Sequence, residues 1–220
     1  ISAREIVSRW LDDSFFSIDD DPKYTWYDHG AADRLLVISV LWSIAVKIRF
    51  ETRFINRLSY ALVRHAQLLS SEGFYSSHQF SRYHNHAWFQ DISLIAASLI
   101  IRDYPVAEKW ISLASRRLSD QLQKLIVRED GYSIFVENSI GYHKGVQRLI
   151  WFAGKLQTCN DGATYYSDIA NELDKWSEFF SYPDGRAPAQ GDTFRKENPI
   201  ALSSSNIKQV VPAEKLDIVT

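Results

Sequence analysis

Three short segments concentrate the residue types that move protons and grip anions: Trp26-Tyr27-Asp28-His29, Tyr83-His84-Asn85-His86 and Gly141-Tyr142-His143. Together they suit removal of a proton from a carbon next to a carboxylate. Such a step needs hydrogen-bond donors that neutralise the carboxylate, a base for the proton and an acid for the leaving oxygen. Asn85 can give two hydrogen bonds, His86 can give another or act as the base, and Tyr142 can exchange a proton with the reacting molecule. Tyrosine is a poor base near its ordinary pKa of about 10 and would need a cation or a helix N-terminus beside it.

Each residue also has a plainer reading. Asn85 could cap a helix, and Tyr142 could pack half-buried against a neighbour. Trp26 and Trp88 could be core, Glu137 could make a local salt bridge, and Asp192 could stabilise the turn after Gly191. His84 and His86 stand two apart, which on a strand would turn both to one side and suggest a metal ion. No third and fourth ligand stand at a supporting distance along the chain, so no metal and no cofactor are expected.

The elements that must position these residues are helical. From Ala31 to about Arg49 apolar residues lie nearly all round (Leu35, Leu36, Ile38, Leu41, Trp42, Ile44, Ile48), which predicts an inner helix buried on most faces. From Arg53 to Leu69 they form one stripe (Phe54, Ile55, Leu58, Leu62, His65, Leu69), which predicts an outer helix. The alternation returns at His86 to Ile101 and Pro105 to about Ile126, and again at His143 to Leu156 and Thr164 to Ser181, with Gly131 and Gly141 framing a break.

His29, His86 and His143 mark the starts of the three apolar helices and stand 57 residues apart in both intervals. That repeat predicts one helical hairpin per period and an all-α fold built as an incomplete α/α toroid. Stacked in parallel, the inner helices would bring their N-termini to one rim, where free N–H groups and positive dipole ends favour an anion. Residues 1–193 are assigned to the toroid domain. Residues 194–220 are assigned to a linker or the start of a following β domain, in which Val210 and Val211 could open a strand.

Composition narrows the partners. With 220 residues, 45% of them apolar, the chain can form a sizeable core or one layer of a larger enzyme. Its 25 basic and 27 acidic residues are dispersed, so no nucleic-acid footprint is present. The single Cys159 excludes an intrachain disulfide and a cysteine-based zinc cage. No apolar run reaches the ~18 residues of a membrane span, and the first residues carry no signal-peptide pattern. A start at Ile1 rather than Met suggests a processed or trimmed chain.

Four segments resemble heparinase II/III-like polysaccharide lyases, a group that includes heparin and heparan lyases and oligoalginate lyases. They are Trp26 to Arg34 (WYDHGAADR), Asn85 to Asp91 (NHAWFQD), Asp130 to His143 (DGYSIFVENSIGYH), and Gly191-Asp192 with the preceding Pro188. The resemblance covers roughly residues 26–193. It implies cleavage of uronic-acid-containing glycans by β-elimination, with Asn85 and His86 at the uronate carboxylate or its C5 side and Tyr142 as the catalytic tyrosine. Glu137 and His143 would line or brace the cleft, and His29, Trp26 and Arg34 would contact substrate. The implied partner is an acidic polysaccharide or oligosaccharide, and the expected location is periplasmic or secreted. Members of that family carry more helix ahead of the first segment and continue into a β-sandwich domain that contributes a further histidine or tyrosine. Two rival functions are a glycoside hydrolase using carboxylates such as Asp28, Glu137 or Asp192 as acid and base, and a non-catalytic helical scaffold or glycan-binding module.

Overall fold

A computed structural model of the chain describes residues 2–13, 26–77, 82–137, 139–157, 162–183, 186–189 and 191. The elements run α1 (Ala3–Asp13), α2 (Asp28–Lys47), α3 (Thr52–Ser70), α4 (Glu72–Ser77), α5 (Asn85–Ile100), α6 (Pro105–Leu125), β1 (Ile126–Glu129), β2 (Tyr132–Phe135), α7 (Ile140–Leu156) and α8 (Gly162–Phe179). The expected helical hairpins are α2/α3, α5/α6 and α7/α8. Their inner helices begin at Asp28, Asn85 and Ile140, within three residues of the positions read from Ala31, His86 and His143. The fold is all-α, an incomplete toroid of helical hairpins with one small sheet. The segment 194–220 lies outside the described residues, as do Asp192 and Cys159.

Apolar patterning explains the layering. α3 turns Phe54, Leu58, Leu62 and Leu69 inward and its arginines outward, as a one-stripe helix must. α5 is packed between α2, α6 and α7 and is buried on every face from Ala87 to Ser98 apart from the partly exposed Phe89. Each large side chain it hides, such as Trp88 or Ile95, contributes about 1.5–3 kcal/mol relative to exposure.

α2 departs from the expectation of burial on most faces. Ala31, Ala32, Leu35 and Ile38 are buried against α3 and α5, but Val37, Val40, Ile44 and Ile48 form an exposed stripe. α5 is covered on both flanks by neighbouring inner helices, whereas α2 has an inner helix beside it on one flank only, among the described residues. By length and composition α2 is also apolar enough to cross a membrane. Here its N-terminal half is part of the helical core.

The break between Gly131 and Gly141 contains a β-hairpin that helical periodicity did not foresee. β1 and β2 pair antiparallel with Ile126 opposite Phe135 and Glu129 opposite Tyr132. The two turn residues Asp130 and Gly131 both have positive φ, 50° and 76°, the signature of a type I′ turn. An Asp-Gly pair between apolar residues was the available signal. The hairpin is tied to α8 by Arg128, which makes two hydrogen bonds to Glu172 at 2.8 and 2.7 Å, and by Lys175 donating to the Gly131 carbonyl at 2.9 Å. The Arg128 hydrogen bonds hold the Glu172 carboxyl below its usual range.

Candidate functional site

The hairpin matters because its last residue connects two helix starts. The Phe135 ring meets Trp88 in the first turn of α5, centroids 5.4 Å apart, while its backbone N–H donates to His143 Nδ1 in the first turn of α7 at 3.4 Å. The start of α2 meets the start of α5 directly through Asp28 and His86. All three inner-helix N-termini therefore share one rim.

At the centre of that rim is His86. Its Nδ1 lies 3.2 Å from Asp28 Oδ2, and Asp28 is fully buried. The other carboxylate oxygen accepts the backbone N–H of His29 at 2.6 Å, which fixes the carboxylate plane. Aromatic rings wall the imidazole: His29 edge-on with centroids 4.7 Å apart, His84 at 5.7 Å and Tyr27 at 6.1 Å. Phe89 packs on His29 at 3.9 Å. A carboxylate on Nδ1 selects the tautomer with Nδ1–H and leaves Nε2 as the nitrogen that can face a ligand.

Asn85 is the first residue of α5 rather than its cap. The cap position belongs to His84, in extended conformation and with no side-chain cap hydrogen bond. The capping explanation for Asn85 therefore does not hold. Its side chain is half-buried, and no hydrogen bond among the described residues engages its amide. An amide beside the positive end of a helix is a ready donor pair for an anion.

Tyr142 sits in the first turn of α7, which Ser139 caps by accepting the Tyr142 N–H at 3.4 Å. The tyrosine is 41% exposed and so is not sealed in the core. His143, next in sequence, points the other way. It is buried, with Nε2 donating to the Leu173 carbonyl at 2.8 Å and Nδ1 accepting from Phe135. Burial lowers its pKa, and both ring nitrogens are committed to backbone. His143 thus braces α7 against α8 and β2, and its ring is not presented to a ligand. Glu137 is exposed on the link between β2 and α7.

His29 joins the rim through its ring contact with His86 and stands 3.8 Å from Asp33. Trp26 and Arg34 belong to a different arrangement. Trp26 is 5% exposed, and the Arg34 guanidinium lies 5.4 Å from the Trp10 ring and 5.5 Å from the Trp26 ring. Arg34 Nε donates to His65 Nε2 at 3.5 Å, and His65 Nδ1 donates to the Ala61 carbonyl at 2.8 Å. These residues form a cation–aromatic box around a neutral histidine.

That box carries a prediction. Burial, with the Arg34 charge acting in the same direction, lowers the His65 pKa from 6.5 to about 4 against the opposing hydrogen bond to Ala61. Between those two values the unfolded chain binds a proton that the folded chain refuses. Stability is complete above about pH 6.5 and is lost as pH falls towards 4, by roughly 3 kcal/mol. The lowered His143 acts with the same sign. Denaturant titrations at pH 7, 5.5 and 4 should show this decline, and His65→Asn should flatten it. Equal slopes in the two proteins would show that His65 is not its source.

Of the rival carboxylates, Asp28 is buried behind His86, Glu137 is on an exposed link, and Asp192 lies outside the described residues. Asp28 and His84 stand in the chemistry-bearing segments of the sequence, but local pattern gives neither a role beside His86. The repeat could have joined them to the site, because one 57-residue period carries Asp28 onto Asn85 and His29 onto His86.

The chain matches a protein-family model described as Heparinase II/III N-terminus over residues 12–216. Two solved structures have a similar fold. One is the heparan sulfate lyase HepC from Pedobacter heparinus, with a TM-score of 0.63 and 19% identity over 88% of this chain and 30% of that one. The other is heparinase III, with a TM-score of 0.65 and 18% identity over 88% of this chain and 30% of that one. This chain thus spans less than a third of either. No curated protein matches it.

Proposed function

The chain belongs to the heparinase II/III N-terminal family, and we propose that it forms the toroid part of a lyase that cleaves uronic-acid-containing polysaccharides by β-elimination. The observation that carries this reading is the rim: His86 held by the buried Asp28, the Asn85 amide beside it, unengaged among the described residues, and the exposed Tyr142 at the start of the next inner helix. In this reading Asn85 donates to the uronate carboxylate, on which negative charge builds as the C5 proton leaves, and His86, with its Nδ1 proton on Asp28, turns the Nε2 lone pair to the C5 side. Tyr142 exchanges protons with the sugar. The electron pair from the C5–H bond becomes the C4–C5 double bond, the bond from C4 to the glycosidic oxygen breaks, and that oxygen takes a proton. His29 meets His86 edge-on and lines the same surface. The polymer is an acidic glycan met in the periplasm or outside the cell.

The test is product chemistry. The full-length protein is incubated with heparan sulfate, hyaluronan, chondroitin and alginate while ultraviolet absorbance and reducing ends are followed together. Elimination from one of them should raise both signals in step, because each cleavage creates one unsaturated uronate. New reducing ends without absorbance would mean hydrolysis, and binding without either signal would mean a non-catalytic module.

A further inference from the structure

We propose that Asp28, His84 and His86 form a binding site for one divalent transition-metal ion of the zinc, cobalt or nickel type. Each residue can present one ligand atom, and the three atoms lie within 4.8 Å of one another. Along the sequence the His84/His86 pair has no third donor at a supporting distance. The fold supplies it from α2.

The chemistry of the set selects the metal. Two imidazoles and one carboxylate suit borderline cations, whereas calcium and magnesium prefer oxygen-only shells. Metal–ligand bonds of about 2.0–2.1 Å in a tetrahedron put neighbouring ligand atoms ~3.3 Å apart. Asp28 Oδ2 and His86 Nδ1 are already 3.2 Å apart. His84 has to close by at most roughly 1.5 Å, within reach of a side-chain rotation. Three protein ligands would leave a fourth position open at the rim.

Support around the ligands has the form that metal sites need. Asp28 Oδ1 is held by the His29 N–H, so the carboxylate presents its other oxygen in a fixed direction. The His84 backbone N–H donates to Gln121 Oε1 at 3.2 Å, and the Gln121 amide is anchored to the Arg82 carbonyl at 2.6 Å and the Tyr75 hydroxyl at 3.2 Å. Charge also favours occupancy, because a fully buried carboxylate facing two imidazoles gains more from a divalent ion than from a neutral hydrogen bond.

The test is a titration of chelator-treated protein with zinc or cobalt(II) against a chromophoric chelator, without substrate, so its result is independent of whether the protein cleaves glycan. One ion should bind per chain. His84→Ala and Asp28→Asn should each weaken binding by at least ~10-fold, the lower end of what even a lost supporting contact costs, and Tyr27→Phe should leave it unchanged. X-ray absorption on zinc-loaded wild-type protein should show two imidazole nitrogens at about 2.0 Å, a readout that does not depend on any variant folding. Failure to bind one ion, a shell lacking the two imidazoles, or binding indifferent to His84→Ala would overturn the site and leave Asp28 as a hydrogen-bonding buttress for His86.

Discussion

Replacing Tyr142 by phenylalanine is expected to lower elimination by about a thousandfold or more, within the range for loss of a positioned acid–base group. The ring stays, so its packing on α7 and the Ser139 cap survive, and only the hydroxyl that exchanges protons is removed. Tyr142 is 41% exposed and its hydroxyl makes no hydrogen bond among the described residues, so the substitution leaves no buried partner unsatisfied. Glycan binding should therefore change little. The measurements are absorbance of the unsaturated product, a separate binding isotherm, and circular dichroism to confirm helicity. Near-normal turnover by Tyr142→Phe on the true substrate would refute a tyrosine-based elimination.

The second large effect is expected for Asn85→Ala, a loss of roughly 100- to 1000-fold in turnover, as for a removed oxyanion-type donor. Charge moves onto the uronate carboxylate as the C5 proton departs, so a donor aimed there stabilises the transition state more than the ground state. The fall should appear in kcat more than in KM. Stability should hardly move, because Asn85 is neither the cap of α5 nor engaged in a hydrogen bond among the described residues. A variant that loses stability but keeps turnover would return Asn85 to a structural role.

Much of the architecture is legible in the sequence. Alternation of all-round apolar helices with one-stripe helices places inner and outer layers, and the histidine period places the helix starts to within three residues. These features are local, since periodicity is a property of a few consecutive turns. The β1/β2 hairpin is signalled by Asp130-Gly131, a cue that helical spacing does not register. What local pattern could not express was the end effect on α2, whose exposed stripe depends on which flank has a neighbour.

For the site, residue types and spacing by themselves determined that Asn85, His86 and Tyr142 would stand before or at the starts of inner helices, because the repeat and the helix-start positions are both written along one chain. Tertiary structure alone decided which neighbours share a surface with them. It carried Asp28 across 58 positions to His86 and turned His143 into the interior against Leu173. It also drew Arg34 and Trp26 into a box with Trp10 and His65. The physical reason is that a helix start specifies a position on the rim but not a direction. Adjacent residues in a first turn diverge by about 100° around the axis, and which of them meets solvent is set by the helix packed alongside. Tyr142 and His143 are adjacent in sequence, yet one is exposed and the other buried because α8 and β2 occupy only one side of α7.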